Sequence, residues 1–271
     1  ETVMRSWKLI LCLLLAVVVL VGCGKTKEEN SMTSDGATKA ETKMAVPEKG
    51  IPVLMYHMIG DIEDNDAVLK ESHLREQMKF LKDNGFHPLT LDQLYEYVMF
   101  NKPVPEKPVV ITFDDGYADT YSIVMPLMKE YGFACTVFIP TYDADQGTRL
   151  SWNQIKEMQA SGMTIAGHGY HHERLAQMNE DVLNREVAMC QKELKEQLGI
   201  TNEYYCYPYG SNDEASQKAM KKNGIKLAFT MNPGWVKYGD NPYALKRIWI
   251  GNAVDIENFK QRVTTEAYED R

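Results

Sequence analysis

The sequence predicts an α/β fold built on parallel strands, and three features carry that expectation. Short apolar runs without polar alternation, clearest at Val109, Val110 and Ile111, are what strands buried on both faces look like, and such strands belong to parallel sheets. Between these runs the apolar residues recur with helical spacing, so the chain reads as repeated βα units around a parallel sheet or barrel. Polar side chains gather just past several of the runs, where such folds build their sites.

In chain order, Arg5 and Lys8 precede the apolar run Leu9 to Val21, which is short for a membrane span and has the flanks of a secretory signal. Residues 1–22 are therefore expected to be an address rather than structure. Residues 23–50 are rich in Lys, Glu, Thr and Ser and read as a flexible tether with a reach on the order of 30 Å. From residue 51 to 271 one domain is expected. Strands are expected at 51–57, 87–90, 108–113, 134–139, 163–168, 203–207, 225–230 and 245–250. Helices are expected at 71–84, 91–100, 119–131, 151–161, 179–198, 213–223 and 255–263.

The 271-residue chain carries a net charge of −8, and the folded part stays acidic once Arg5, Lys8 and Glu1 are set aside. That argues against nucleic acid and anionic membrane surfaces as partners. Cys135, Cys190 and Cys206 are too few and too odd in number for a disulfide framework, and each reads as a small buried hydrophobe.

The chemistry concentrates in two stretches. Thr112-Phe113-Asp114-Asp115-Gly116 ends the run from Pro108 with two adjacent carboxylates. Asp-Gly is also ordinary turn chemistry, but two like charges at a buried strand end call for a cation that takes one Asp and leaves the other as a base. The second stretch, Ile165 to His172, places His168 and His172 four residues apart, the spacing of one side of a helical turn. With one Asp they would make a three-ligand site with open positions, as hydrolytic zinc sites require.

TFDDG followed by a strand ending in H-x-x-x-H resembles the polysaccharide deacetylases, the NodB-homology or carbohydrate esterase family 4. The likeness extends from about Ile51 to Ile250 and implies a distorted (β/α) barrel. It also implies that Asp114 is the catalytic base and that Asp115, His168 and His172 hold the metal, zinc first, with Co²⁺, Ni²⁺ or Fe²⁺ compatible. Gly169 departs from the family, many members of which have Ser or Thr there. Tyr205 to Gly210 resembles the third family motif but lacks its Arg, and Arg247 is the candidate to replace it beside Asp114. By the same resemblance the Tyr209 N–H faces the oxyanion, and Tyr207 and Tyr209 wall the site. Trp235 is a candidate sugar-binding residue, with Trp249 and Trp152 as further candidates for sugar stacking or the core.

The family's late histidine is absent, since no histidine follows His172. Val53 to Ile59 resembles the start of the subgroup of poly-N-acetylglucosamine deacetylases, which makes His57 the expected general acid. Leu20-Val21-Gly22-Cys23 resembles a lipobox, so Cys23 is expected to carry a lipid that holds the domain outside the cytoplasmic membrane. The implied activity is hydrolysis of N-acetyl groups on a GlcNAc-containing glycan, an exopolysaccharide or peptidoglycan, by a monomer. A glycoside hydrolase would need its carboxylates about 5 Å or more apart across a sugar, which adjacent Asp114 and Asp115 do not offer. A non-haem iron oxygenase would share the ligand set without needing Asp114. A non-catalytic glycan-binding lipoprotein is the alternative reading.

Overall fold

The structure is a computed structural model that describes residues 42–268. The expected signal, Cys23 and most of the tether lie outside the described residues. Strand β1 is Val53–Tyr56, β2 His87–Pro88, β3 Pro108–Phe113, β4 Thr136–Ile139, β5 Thr164–Gly167, β6 Tyr204–Cys206, β7 Leu227–Phe229 and β8 Ile248–Trp249. They form one eight-stranded sheet in the order β7-β6-β5-β4-β3-β1-β8, with β2 beside the start of β3. Every pairing in it is parallel.

The sheet curls until its edges nearly meet. Leu245 makes a parallel bridge to Phe229 of β7, and four residues later Trp249 pairs with Met55 of β1. The segment 245–249 thus leans on one sheet edge at its start and on the other at its end, which makes the architecture the distorted barrel that the resemblance implies.

Helices α1 (Glu71–Asp83), α2 (Leu91–Phe100), α3 (Met125–Tyr131), α4 (Trp152–Ala160), α5 (Glu180–Leu198) and α6 (Glu214–Lys222) fall inside the expected spans, and α7 (Ile256–Thr264) runs one residue past its own. Their starts are written in the sequence, with capping boxes at Thr90, Ser151 and Asp213. The one irregularity is a π-helical stretch at Thr120–Val124, where an unbroken helix is expected from 119. Pro126 explains it: it lacks the N–H that would close the α-helical bond to the preceding turn, and that turn widens. None of the helices among the described residues is long and apolar enough to cross a membrane.

The tether's expected end at residue 50 is late. Met44–Ala45 pairs antiparallel with Val104–Pro105, and Tyr97 donates to the Pro47 carbonyl at 3.3 Å. Low aromatic content hid this, because the pairing uses backbone groups that composition does not report.

Two apolar layers follow the period-two geometry of strands. Val109, Ile111 and Phe113 of β3 pack outward in the larger layer, whereas Val110 joins an inner one with Val53, Phe138, Ala166, Tyr204, Leu227, Phe229 and Leu245. Inner residues then continue in steps of two to the carboxyl ends of their strands. From Val53 the steps reach His57, from Val110 Asp114, from Ala166 His168, from Tyr204 Cys206, from Phe229 Met231, and from Leu245 Arg247 and Trp249. The barrel places all of these side chains at one mouth.

Candidate active site

Asp114 is buried, 2% exposed, and its two oxygens accept a forked pair of hydrogen bonds from Arg247, at 2.8 Å from Nη1 and 2.7 Å from Nη2. The guanidinium is itself fixed by the Thr230 carbonyl at 2.9 Å and the Thr112 hydroxyl at 3.1 Å. Arg247, the candidate to stand beside Asp114 in place of the missing third-motif arginine, does lie beside it. Burial alone would push the Asp114 carboxyl up, but the charge and hydrogen bonds of Arg247 hold it below the usual carboxylate range.

Asp115 points the other way from its neighbour because its backbone turns left-handed, φ 71°. Its carbonyl accepts from Arg149 Nη1 at 2.7 Å, which holds that turn. Oδ1 then lies 3.2 Å from His168 Nε2 and 3.1 Å from His172 Nε2, and the two imidazole nitrogens are 3.2 Å apart. His168 Nδ1 donates to the Cys206 carbonyl at 2.8 Å, an acceptor with no proton to give, so Nε2 can turn a lone pair to the centre of the triangle. These edges match the roughly 3.3 Å expected between donors about 2.0 Å from one tetrahedral metal ion. One carboxylate and two imidazoles therefore fit a divalent cation.

The helical turn expected to join the two histidines is not there. His168 follows β5 directly, and residues 169–172 form a loop that ends with His172 in the left-handed region, φ 61°. Thr141 N–H holds the Gly169 carbonyl, and Tyr142 N–H the Tyr170 carbonyl. Buried Glu186 of α5 grips His171 at both its N–H, 2.9 Å, and its ring, 2.5 Å, so His171 faces away from the triangle. Gly169, at φ 84°, adopts a conformation that a Ser or Thr would hold only with strain, which accounts for that departure.

His57 faces the pair from β1. Its Nε2 is 3.8 Å from Asp114 Oδ2, and its ring lies against Trp249 with centroids 4.8 Å apart. Burial lowers its pKa, and Asp114 and Asp115 pull it partly back. Together His57, Asp114, Asp115, His168, His172, Tyr207, Tyr209, Met231 and Trp249 line a cavity of about 210 Å³. Tyr207 is buried and donates to the Tyr243 carbonyl at 2.9 Å. Tyr209 is 51% exposed, left-handed at φ 57°, and its ring sits between His172 and the Arg174 guanidinium. Left-handed backbone at Asp115, His172 and Tyr209 alike is strain concentrated at one place, as functional sites often show.

Trp235 is not among them. Its indole donates to the Arg262 carbonyl at 3.0 Å, and it lines a different cavity with Pro52 and Pro108, at the amino ends of β1 and β3. The tryptophan that lines the site is Trp249, two steps of two from inner-facing Leu245, and the same parity would have found Cys206 and Met231. Cys206 Sγ sits 2.9 Å from Arg247 Nη2, as part of the floor beneath Asp114. The three described cysteines are free and buried.

Comparison with known proteins agrees with this geometry. A family model described as polysaccharide deacetylase matches residues 101–228. YxkH of Bacillus subtilis, named for the same family, is 32% identical over 213 residues, 79% of this chain and 75% of its own length. The poly-beta-1,6-N-acetyl-D-glucosamine N-deacetylase of Staphylococcus epidermidis is 24% identical over 92% of this chain and 94% of its own. Of the Escherichia coli protein of that name the match spans 46%. Among solved structures, Streptococcus pyogenes deacetylase PplD in complex with acetate superposes with a TM-score of 0.76 at 27% identity, over 80% of this chain and 99% of that one. The paired Asp114-Asp115 and His168–His172 motifs, the curled parallel sheet and these likenesses lead to one conclusion: the chain belongs to the polysaccharide deacetylase family.

Proposed function

We propose that this chain is a metal-dependent N-deacetylase of a GlcNAc-containing polymer, acting outside the cytoplasm. The observation that carries the reading is the Asp115–His168–His172 triangle beside a second carboxylate, Asp114, that Arg247 keeps out of it. Those three residues would hold a divalent cation, zinc by preference, which would supply Lewis acidity and make water a stronger acid. Asp114, kept ionised by Arg247, accepts a proton from the attacking water. The backbone at Tyr209 faces the developing oxyanion, and His57, across the cavity from Asp114, delivers a proton to the departing amine. Trp249 and Met231 close the remaining wall of the cavity. The glycan-binding alternative rested on the missing third-motif arginine, and Arg247 beside Asp114 removes that support.

The polymer is inferred from the named activity of the staphylococcal and Escherichia coli relatives. Acetate release from N-acetylglucosamine oligomers, abolished by chelation and restored by zinc, tests it. In the same assay His57→Ala should lose roughly 10²- to 10⁴-fold in kcat while retaining metal, the range for a positioned acid. The loss should shrink on an activated ester, whose leaving group hardly needs a proton; an equal loss on ester and amide would remove His57 as the acid. Location is part of the same proposal, with Cys23 as the lipid-bearing residue. Labelled palmitate should enter the wild type and not Cys23→Ala, and equal labelling of both would remove the anchor.

A further inference from the structure

His57 is held by packing rather than by hydrogen bonds: its Nδ1 is buried with no hydrogen-bond partner, and the contact that sets the ring's tilt is Trp249, at 4.8 Å and 43°. A wall that orients a catalytic imidazole must itself be fixed, and a tryptophan at the end of the two-residue strand β8 has little sheet to fix it. The indole is instead clamped from outside the sheet. Trp249 Nε1 donates to Asp66 Oδ2 at 2.6 Å, and the other oxygen of that carboxylate accepts from Ala253 N–H at 2.8 Å.

Asp66 sits in the loop between Ile59 and Val68, whose ends are tied where Met58–Ile59 pairs with Val68–Leu69. The loop is fastened again by Asn252, whose N–H donates to the Asp66 carbonyl at 2.9 Å and whose amide donates to the Glu63 carbonyl at 3.0 Å. Gly251 makes the approach possible. A Cβ there would lie 2.1 Å from the Asp66 carbonyl oxygen and 2.5 Å from Trp249 Nε1, closer than any real contact. A backbone without a side chain, a carboxylate with both oxygens used and an indole N–H have been brought to one point, 183 residues apart in the chain for Asp66 and Trp249.

We propose that Asp66 is a positioning residue for the reaction, acting through Trp249 on the orientation of His57. The inference rests on the proposed function for its kinetic arm and stands on its own for its structural arm. In kinetics on N-acetylglucosamine oligomers with zinc, Asp66→Ala should lower kcat about ten- to hundredfold and leave KM within about threefold, because a misaligned acid weakens the transition state more than the ground state. Asp66→Asn has one acceptor oxygen for two donors, the indole and the Ala253 N–H, so its kcat should fall between those of the wild type and Asp66→Ala. Trp249→Phe, which removes the N–H but leaves the Asp66–Ala253 bond, should lose at least as much as Asp66→Ala. Adding Asp66→Ala to Trp249→Phe should cost nothing more, as expected of residues acting in one chain of contact.

An unchanged kcat in Asp66→Ala, a loss confined to KM, or additive losses would each overturn the clamp. In the structural arm, the Trp249 indole N–H, assigned by its disappearance in Trp249→Phe, should be protected from solvent exchange in the wild type and unprotected in Asp66→Ala. The His57 ring signals should move in both variants. Should the wild type release no acetate, the deacetylase reading fails while the clamp is still judged by these spectra; unmoved His57 signals in Asp66→Ala would sink it.

Discussion

Replacing Arg247 by Met should cost about 3–5 kcal/mol of stability, the penalty of leaving a buried carboxylate without its cation, and should abolish acetate release. Arg247 is 1% exposed and Asp114 2%, so no solvent is at hand to take over the pairing. The pH dependence should change sign. In the wild type the Asp114 pKa is depressed, so its contribution is complete above the unfolded value near 3.9 and is lost as pH falls through the lower folded value. Without Arg247 only the smaller pull of His168 and His57 opposes burial, the largest cause, so the Asp114 pKa should rise, the folded state should hold its proton longer and the variant should lose stability as pH rises above about 4.

Urea melts between pH 3 and 8 decide it. Asp114→Asn alone should also destabilise, because Arg247 is then buried without an anion. The double variant Arg247→Met, Asp114→Asn should recover most of the loss and remain inactive, since neither member of the pair is then left as an unpaired buried charge and the reaction has no base. Equal melts for the wild type and Arg247→Met would mean that the pair contributes nothing to folding.

Much of this arrangement is legible in the sequence, because strands obey a period of two. The unbroken run from Pro108 to Phe113 implies a strand with two covered faces, and the structure splits it into outward Val109, Ile111 and Phe113 and inward Val110. Asp114 and His168 follow from the same run and its counterpart at Thr164–Gly167 by plain continuation. Asp115 and His172 are different. A continued strand would carry Asp115 to the outer face, and only the left-handed turns at both residues bring them back to His168. The sequence shows Asp-Gly and a histidine four residues past another, which is compatible with such turns and equally with a helical turn; the helical turn expected between His168 and His172 is the alternative that lost.

Trp235 and Trp249 separate by position: Trp249 ends β8, while Trp235 lies in the connection between β7 and β8, although composition treats them alike. Trp249 lies an even number of residues from inner-facing Leu245 and so opens to the cavity, whereas Trp235 packs at the amino ends of β1 and β3. Parity becomes usable only when one inner residue of each strand is known, and the sequence alone does not say which of Leu245 or Lys246 is inside. The Arg247–Asp114 fork, 133 residues apart, depended on the same knowledge and on the sheet order that joins 245–249 to both edges.

Asp115→Asn should lose its divalent metal and Asp114→Asn should keep it, although both should be inactive. The two carboxylates differ by one position in sequence and by every contact in space. Asp115 Oδ1 shares its space with two imidazole nitrogens at 3.1 and 3.2 Å, while both Asp114 oxygens are committed to Arg247. An amide in place of Asp115 offers a weaker, neutral oxygen to the cation and should cost at least about 100-fold in affinity, beyond the 10- to 100-fold seen when only an outer partner of a ligand is removed. An amide in place of Asp114 leaves all three ligand atoms in position and should change affinity by less than about tenfold.

Equilibrium dialysis against zinc measures both, and cobalt substitution adds a spectrum that reports the ligand set without any turnover. The kinetic losses are expected to be alike because each variant removes something the reaction cannot replace: the cation in one, the acceptor of the water's proton in the other. Metal lost from Asp114→Asn and retained by Asp115→Asn would exchange the two roles. Metal retained by both would mean that His168 and His172 hold it with a ligand outside the triangle, and the site would have to be drawn again from those two histidines.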